Sequence, residues 1–370
     1  MTKQWTILEA LKWTEERLER NGEENARLAA QMLATHATKL TRIDLYAQFD
    51  KPLSEEERAL LRESIQRRLN GEPLQYILGS TGFRYLELTV REPVLIPRPE
   101  TETLVELVLA HCRQGGTNPA GAAAAANANA NATAATAATA VTAVTAAVTG
   151  IATAATATTT AAETAVTGAA ADDDATVLDD AAATATTTST TPAIECSILD
   201  IGTGSGAIAL SLLHELPSCK VLATDIDEAA LQLAEENAQG LNLTNDNRLE
   251  ILKDDLASSL IANEAYKQHF DVVVSNPPYI PTSKYEALPQ EILQFESKTA
   301  LDGGEDGLHT FRRLAEQAQV LLRYGGLLAV ELHEDTLKDA AAFAGKLSYS
   351  NIEIHNDLTG RQRFITAIRS

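Results

Sequence analysis

Residues 198–207 read Ile-Leu-Asp-Ile-Gly-Thr-Gly-Ser-Gly-Ala, and the chain changes character in the middle of them. Ile198 and Leu199 belong to a short apolar run that reads as a buried strand, and Ala207 opens a stretch to Glu215 with helical spacing. Between them lie three glycines at alternate positions, which let the backbone turn tightly and lie close against a ligand. Strand, glycine turn, helix is the opening unit of an α/β domain.

The same alternation continues downstream. Strands are predicted at Lys220–Ala223, Leu249–Leu252, Asp271–Val274, Gly326–Leu332, Ile352–His355 and Phe364–Ile368, and helices at Glu228–Gln239 and Leu314–Leu322. With Ile198-Leu199 this makes a doubly wound, seven-stranded Rossmann-like α/β sheet whose last strand is antiparallel.

The glycine turn alone does not choose a ligand, because Gly202-x-Gly204-x-x-Ala207 also satisfies a dinucleotide fingerprint. Asp225 lies about 20 residues on, at the end of the second strand, where a carboxylate accepts hydrogen bonds from ribose hydroxyls. Asp227 is the better helix cap in Thr224-Asp225-Ile226-Asp227. Asp255, after the third strand, stands where an adenine amino group is met or is simply a loop carboxylate. Nucleotide binding is expected, and its kind is decided elsewhere.

Ser275-Asn276-Pro277-Pro278-Tyr279-Ile280 decides it. Two prolines without N–H groups stop the apolar strand that precedes them. Strand ends of open α/β sheets are where ligands lie. There the Asn276 side-chain oxygen and the Pro277 carbonyl can accept the N–H groups of a flat amide or amine, and Tyr279 can stack on it. Such a clamp suits attack by a poor nitrogen nucleophile on an electrophilic methyl group, through positioning and electrostatics.

Composition bounds the rest. The 370 residues suffice for two cores, and the net charge of -21 disfavours non-specific binding to phosphate backbones. Three cysteines, Cys112, Cys196 and Cys219, form no C-x-x-C pair, which fits a reducing cytosol better than a disulfide framework. The histidines are scattered and no metal site is expected. Met1–Arg20 lacks the apolar core of a signal peptide.

Four segments follow. Residues 1–80 carry amphipathic stripes, such as Trp5, Ile7, Leu8, Leu11 and Leu18, and a start signal at Ser54-Glu55-Glu56-Glu57, and read as a helical bundle domain. Residues 81–113 read as a β-hairpin, with its turn at Arg91-Glu92-Pro93, and a helix from Thr101 to His111. Residues 114–193 are nearly all Ala, Thr, Asn, Gly and Val, and a disordered insertion is expected there rather than a membrane span. Residues 194–370 hold the α/β domain.

With Gly-x-Gly-x-Gly after the first strand, Asn276-Pro277-Pro278-Tyr279 resembles the amino-group methyltransferases that use S-adenosylmethionine, a class that includes adenine-N6 DNA methyltransferases. Gly71-Glu72-Pro73-Leu74-Gln75-Tyr76-Ile77-Leu78-Gly79, Leu95 to Glu102, Thr299 to Gly307 and Asp357-Leu358-Thr359-Gly360-Arg361 resemble one branch, the peptide chain release factor glutamine methyltransferases. The resemblance covers essentially the whole chain outside 114–193. It implies N5-methylation of the glutamine in a Gly-Gly-Gln loop of class I release factors, with residues 1–80 docking the factor. It places Gly202, Thr203, Gly204, Ser205 and Gly206 on the methionine part of S-adenosylmethionine, Asp225 on the ribose, and Asp255, Leu256 and Asn276 also at the cofactor. Leu256 replaces an aromatic ring by apolar packing. Asn276, Pro277, Pro278 and Tyr279 would hold the substrate amide, with Asn276, Pro277 and Tyr279 carrying the chemistry, and Arg98 to Glu102 would wall the pocket. Ser297 stands where proline is common. A cytoplasmic monomer without direct nucleic-acid or membrane partners is expected. Against it stand an adenine-N6 DNA methyltransferase, a non-catalytic binding module and a nicotinamide oxidoreductase, the last leaving Asn276 to Tyr279 without a role.

Overall fold

The computed structural model describes residues 4–114 and 196–370. The expected insertion lies, apart from Gln114, outside the described residues.

The first elements are helices: Ile7–Glu19 (α1), Ala26–Thr38 (α2), Arg42–Ala47 (α3), Glu55–Leu69 (α4) and Leu74–Leu78 (α5). Three of them start with reciprocal caps. Thr6 with Glu9, Thr41 with Asp44 and Ser54 with Glu57 each satisfy a first-turn N–H and the N–H of the capping residue. The apolar stripes of α1, α2 and α4 meet in one core around Ile7, Leu18, Leu33, Leu45 and Ile65. Arg68, at the end of α4, pairs with Glu23 at 2.7 Å and with Glu291 of the α/β part at 3.0 Å. The Tyr76 hydroxyl donates to the Val94 carbonyl at 2.7 Å, a second tie between the two parts.

The hairpin is present, but one turn earlier than expected. Ser80–Phe83 (β1) pairs with Leu86–Thr89 (β2), and Arg84-Tyr85 is the turn. The sequence carries the reason. Leu86, Leu88 and Val90 alternate in one phase, and Phe83 is out of phase with them, so the chain must reverse between them. Arg84 sits at φ 52, which costs a non-glycine residue about 1 kcal/mol or more. Its guanidinium is held by Glu215 at 2.5 Å and Glu106 at 2.9 Å, fixing the turn. Val94 to Ile96 form no strand. Val94 packs against Ala230 and Leu233, and Ile96 against Tyr76 and Val90.

Thr101–Arg113 (α6) leads to the sheet: Ser197–Ile201 (β3), Ala207–Glu215 (α7), Lys220–Asp225 (β4), Glu228–Gly240 (α8), Leu249–Lys253 (β5), Ser258–Ala262 (α9), Phe270–Ser275 (β6), Thr282–Tyr285 (α10), Gln290–Phe295 (α11), His309–Leu321 (α12), Leu322–Glu331 (β7), Leu337–Lys346 (α13), Tyr349–Asn356 (β8) and Gln362–Arg369 (β9). The strand order is β5-β4-β3-β6-β7-β9-β8, with β9 antiparallel to both neighbours. This is the doubly wound seven-stranded fold expected. β7 starts four residues early because Gly325 and Gly326 carry it across a bulge opposite Phe270 and Val272. α13 was not anticipated, since alanines supply much of its apolar face. Layers on both faces of the sheet, around Val272, Leu212 and Leu104 on one side and Phe311, Leu314 and Val273 on the other, form the core.

The cysteines depart from expectation. Cys196 and Cys219 are joined by a disulfide, while Cys112 is buried and free. β3 and β4 start in register, Ser197 opposite Lys220, so the residues just before them are neighbours. A 23-residue separation carries no sequence signal for that. Among the described residues, no helix is long and apolar enough to cross a membrane.

Candidate active site

β3 and β6 are adjacent, and the chain winds away from them in opposite directions. Their carboxyl ends therefore flank a switch point, the usual position of a ligand cleft. Gly202-Thr203-Gly204-Ser205-Gly206 leaves one end and Asn276-Pro277-Pro278-Tyr279 the other. A cavity of about 280 Å³ opens there, lined by Gly202, Gly204, Asp225, Ile226, Asp255, Leu256, Asn276 and Pro278, among others.

The glycine turn is divided between cavity and interior. Gly202, Gly204 and Gly206 all have positive φ. A Cβ at Gly202 or Gly204 would point into open space, whereas one at Gly206 would press on Leu210 and Ala234. Gly206 thus serves helix packing. Thr203 and Ser205 are buried, away from the cavity lining. The Thr203 hydroxyl donates to Asp200 at 2.7 Å, and the Ser205 carbonyl accepts from Asn237.

Asp225 binds the turn directly. Its carboxylate accepts from the Gly204 N–H at 2.9 Å and the Asp227 N–H at 3.0 Å, and Asp227 caps α8 as expected. Burial pushes the Asp225 carboxyl upward, against those two hydrogen bonds. Asp200 is fully buried, and burial pushes its carboxyl up to about 7, with the Thr203 bond opposing. Asp255 lies at the cavity rim in an ion pair with Arg313 at 2.7 Å. Leu256 lines the cavity, and its carbonyl accepts from Thr224. Ile226 is 59% exposed beside it, an apolar surface that the sequence reading passed over.

A second, small cavity of about 40 Å³ is lined by Arg98, Asn276, Pro277, Tyr279 and Leu301, among others. Asn276 lines both. Among the described residues, the Asn276 side chain hydrogen-bonds through Nδ2 alone, to Thr101 Oγ1 at 3.2 Å. No described donor reaches its Oδ1 or the Pro277 carbonyl. Two acceptors on one wall thus await donors from outside.

The segment is held from behind. Leu301 to Gly307 wraps it through Ile280 N to Leu301 O, Gly303 N to Ile280 O and Thr282 N to Gly304 O, at 2.8–2.9 Å. A Cβ on Gly303 would lie 2.7 Å from Tyr279 Cα, and one on Gly307 2.5 Å from the Tyr279 carbonyl. Only glycine fits that approach. Arg98 grips the buried Glu296 at 2.7 Å and lines the small cavity, whereas Pro99 to Glu102, also expected as its wall, are not among the lining residues of either strand-end cavity. The Ser297 N–H donates to the Pro93 carbonyl at 3.2 Å, a bond that proline cannot make. Asp357 accepts from the Thr359 and Arg361 N–H groups, shaping the β8–β9 turn that leads to Arg363.

Reasoning from the sequence missed Glu331. It ends β7, is 1% exposed, and accepts from Thr101 at 2.7 Å and Tyr279 at 3.2 Å. Burial raises its carboxyl, while the Thr101 bond, the Arg363 charge and the Tyr279 bond pull it back. The available signal was an acid closing the apolar run Leu327-Leu328-Ala329-Val330. A larger cavity, about 450 Å³, lies among α1 and α4 and the residues near them, lined by Trp5, Trp13 and several arginines. It holds none of the strand-end groups.

Residues 9–79 match the PrmC N-terminal domain family, and residues 173–308 match the methyltransferase small domain family. The chain is 31% identical over 363 residues to the release factor glutamine methyltransferase of Rhodopirellula baltica, covering 98% of this chain and 96% of that one. The chain belongs to the release factor glutamine methyltransferase family. The protein of that name from Moorella thermoacetica is 34% identical over 367 residues, 98% of this chain and 99% of that one. The one from Geobacter sulfurreducens is 33% identical over 330 residues, 89% and 84%. For a release factor glutamine methyltransferase the two unserved acceptors beside Tyr279 are the telling feature, because a primary amide brings two N–H donors.

Proposed function

We infer that the chain transfers a methyl group to the side-chain amide nitrogen of the glutamine in a Gly-Gly-Gln loop of class I release factors, in the cytoplasm. The observation that carries this is the pair of free acceptors, Asn276 Oδ1 and the Pro277 carbonyl, both on the 40 Å³ cavity, which meets the 280 Å³ cavity at Asn276.

S-adenosylmethionine fits the 280 Å³ cavity at the strand ends. Gly202 and Gly204 leave its floor open, Asp225 retains lone pairs for ribose hydroxyls, and Ile226, Leu256 and Pro278 give apolar surfaces for a flat ring. When bound, the group supplies an electrophilic methyl on a positively charged sulfur. The residues of the chain then do four things. Asn276 Oδ1 and the Pro277 carbonyl accept hydrogen bonds from the two amide N–H groups and so orient the nitrogen lone pair. Tyr279 covers the face of the amide. The same two acceptors stabilise the N–H groups as positive charge develops on nitrogen. Arg98, Leu301 and Tyr279 confine the small cavity to something as slim as a glutamine side chain. The amide proton becomes acidic only as the new N–C bond forms, so no base is required beforehand.

The groove among α1 and α4 supports a docking role for the helical part. Trp5 and Trp13 lie on it with Arg17, Arg20, Arg58 and Arg62, a basic patch on an acidic chain that suits an acidic face of the factor. Incubation with S-adenosylmethionine and a class I release factor, followed by mass spectrometry of the Gly-Gly-Gln peptide, tests the reading. One added methyl on that glutamine supports it. Bound cofactor with no methyl on the peptide overturns it.

A further inference from the structure

We propose that Glu331 is a positioning residue that fixes which edge of the Asn276 amide faces the substrate, acting through Thr101. The proposal rests on the amide-methylation reading above. Thr101 and Glu331 are both buried, at 4% and 1% exposure.

The argument follows the protons. A hydroxyl has one proton to donate, and an ionised carboxylate only accepts. Thr101 Oγ1 lies 2.7 Å from Glu331 Oε2, so its proton is committed there. The oxygen then offers only lone pairs to Asn276, 3.2 Å away, and Asn276 must answer with its NH2 edge. The amide is planar, so Oδ1 is forced to the opposite side. Glu331 also accepts from the Tyr279 hydroxyl at 3.2 Å through its other oxygen. One carboxylate thus sets both the orienting amide and the covering ring. Burial is the largest influence and raises the Glu331 carboxyl, whereas Arg363, which faces it from β9, favours the ionised form by its charge, as do the two hydroxyls. Glu100 is the nearby acid that opposes ionisation.

A neutral amide at 331 removes the constraint. Glutamine can donate to Thr101, whose proton is then free for Asn276 Oδ1. The Asn276 amide can turn over and present a donor to a substrate N–H.

Three variants, a pH profile and one spectrum test this. Glu331→Gln and Thr101→Val are expected to lower kcat on a Gly-Gly-Gln peptide about ten- to a hundredfold, the loss from one mispaired buried hydrogen bond. The Kd for S-adenosylmethionine should stay within about twofold of the wild type, since neither group lines the 280 Å³ cavity. Thr101→Ser should recover most of what Thr101→Val loses. On acidification, kcat of the wild type should fall as Glu331 takes a proton, and the Glu331→Gln profile should lack that limb. Independently of turnover, the side-chain amide signal of Asn276 in 15N-asparagine-labelled protein, assigned by its loss in Asn276→Ala, should move in Glu331→Gln. Wild-type turnover in Glu331→Gln, equal loss in Thr101→Ser and Thr101→Val, or an unmoved amide signal would each overturn the proposal. Absence of glutamine methylation by the wild type would sink the underlying reading, and the amide signal would still decide the orientation.

Discussion

Two neighbouring strand ends build the two halves of the site by opposite means. After β3 the backbone is bared: Gly202 and Gly204 leave open space, and one carboxylate, Asp225, holds the turn through N–H groups. After β6 the backbone is enclosed: prolines fix it, a glycine loop presses on it at sub-contact distance for any Cβ, and a buried carboxylate braces its side chains. The first half is shaped to be filled, the second to stay still. A large ligand supplies its own contacts and needs room, whereas a small amide must find two acceptors already in place.

That contrast is breakable, and the largest expected effect is at the shared wall. Asn276→Ala should lower turnover at least about a thousandfold, the scale for losing a preorganised electrostatic contact, with the melting temperature little changed and the S-adenosylmethionine Kd weakened far less than turnover, since Asn276 also lines the cofactor cavity. Loss of cofactor binding in a folded protein would contradict the assigned role. Next come the glycines, which should part ways. Gly307→Ala meets the Tyr279 carbonyl at 2.5 Å with φ +76, so it should both lower the melting temperature by several degrees and reduce kcat, about tenfold or more. Gly204→Ala has space but an unfavourable φ of +58. It should chiefly weaken cofactor binding in calorimetry, leaving kcat at saturation within a few-fold. Equal behaviour of the two variants would erase the contrast.

A smaller effect concerns Asp200, behind the glycine turn. Its carboxyl is raised to about 7 in the folded chain, so the stability it contributes is present at acid pH, below the ordinary carboxylate range. That contribution is lost as pH rises through about 7. Asp200→Asn keeps an acceptor for Thr203 and removes the titration. Its melting temperature relative to wild type should therefore climb between about pH 4 and 7, and a flat difference would refute the assignment. The smallest effect is expected from deleting residues 116–192, which contain none of the site residues. Activity should remain within a few-fold, checked by the same peptide assay.

The legibility of the sequence follows the same division. Strands with β-branched runs, such as Asp271-Val272-Val273-Val274, and helices with caps, such as Ser54 with Glu57, declare themselves locally. The glycine turn, Asp225, Asp227 and Asn276 to Tyr279 stand out in the sequence as candidates because each is a short run at a strand end. Thr203 and Ser205 share the glycine run expected at the cofactor, yet both side chains are buried away from the cavity. What stayed hidden is pairing across long separations. Glu331 with Thr101, the Gly303 and Gly307 approach to Tyr279, and the meeting of Cys196 with Cys219 depend on which strands become neighbours. The hairpin departs from expectation at Phe83 for a local reason, a tight turn on the non-glycine residue Arg84.

The stretch from Glu291 to Glu296 is tied at both ends. Arg68 of the helical part holds Glu291, and Arg98 beside the small cavity holds Glu296. The six residues from Glu291 to Glu296 therefore hold the end of α4 and the small cavity at a set separation. Were a macromolecular substrate to rest on the helical part, a loop projecting too little from its body would not reach Asn276, however well that body fitted the helices.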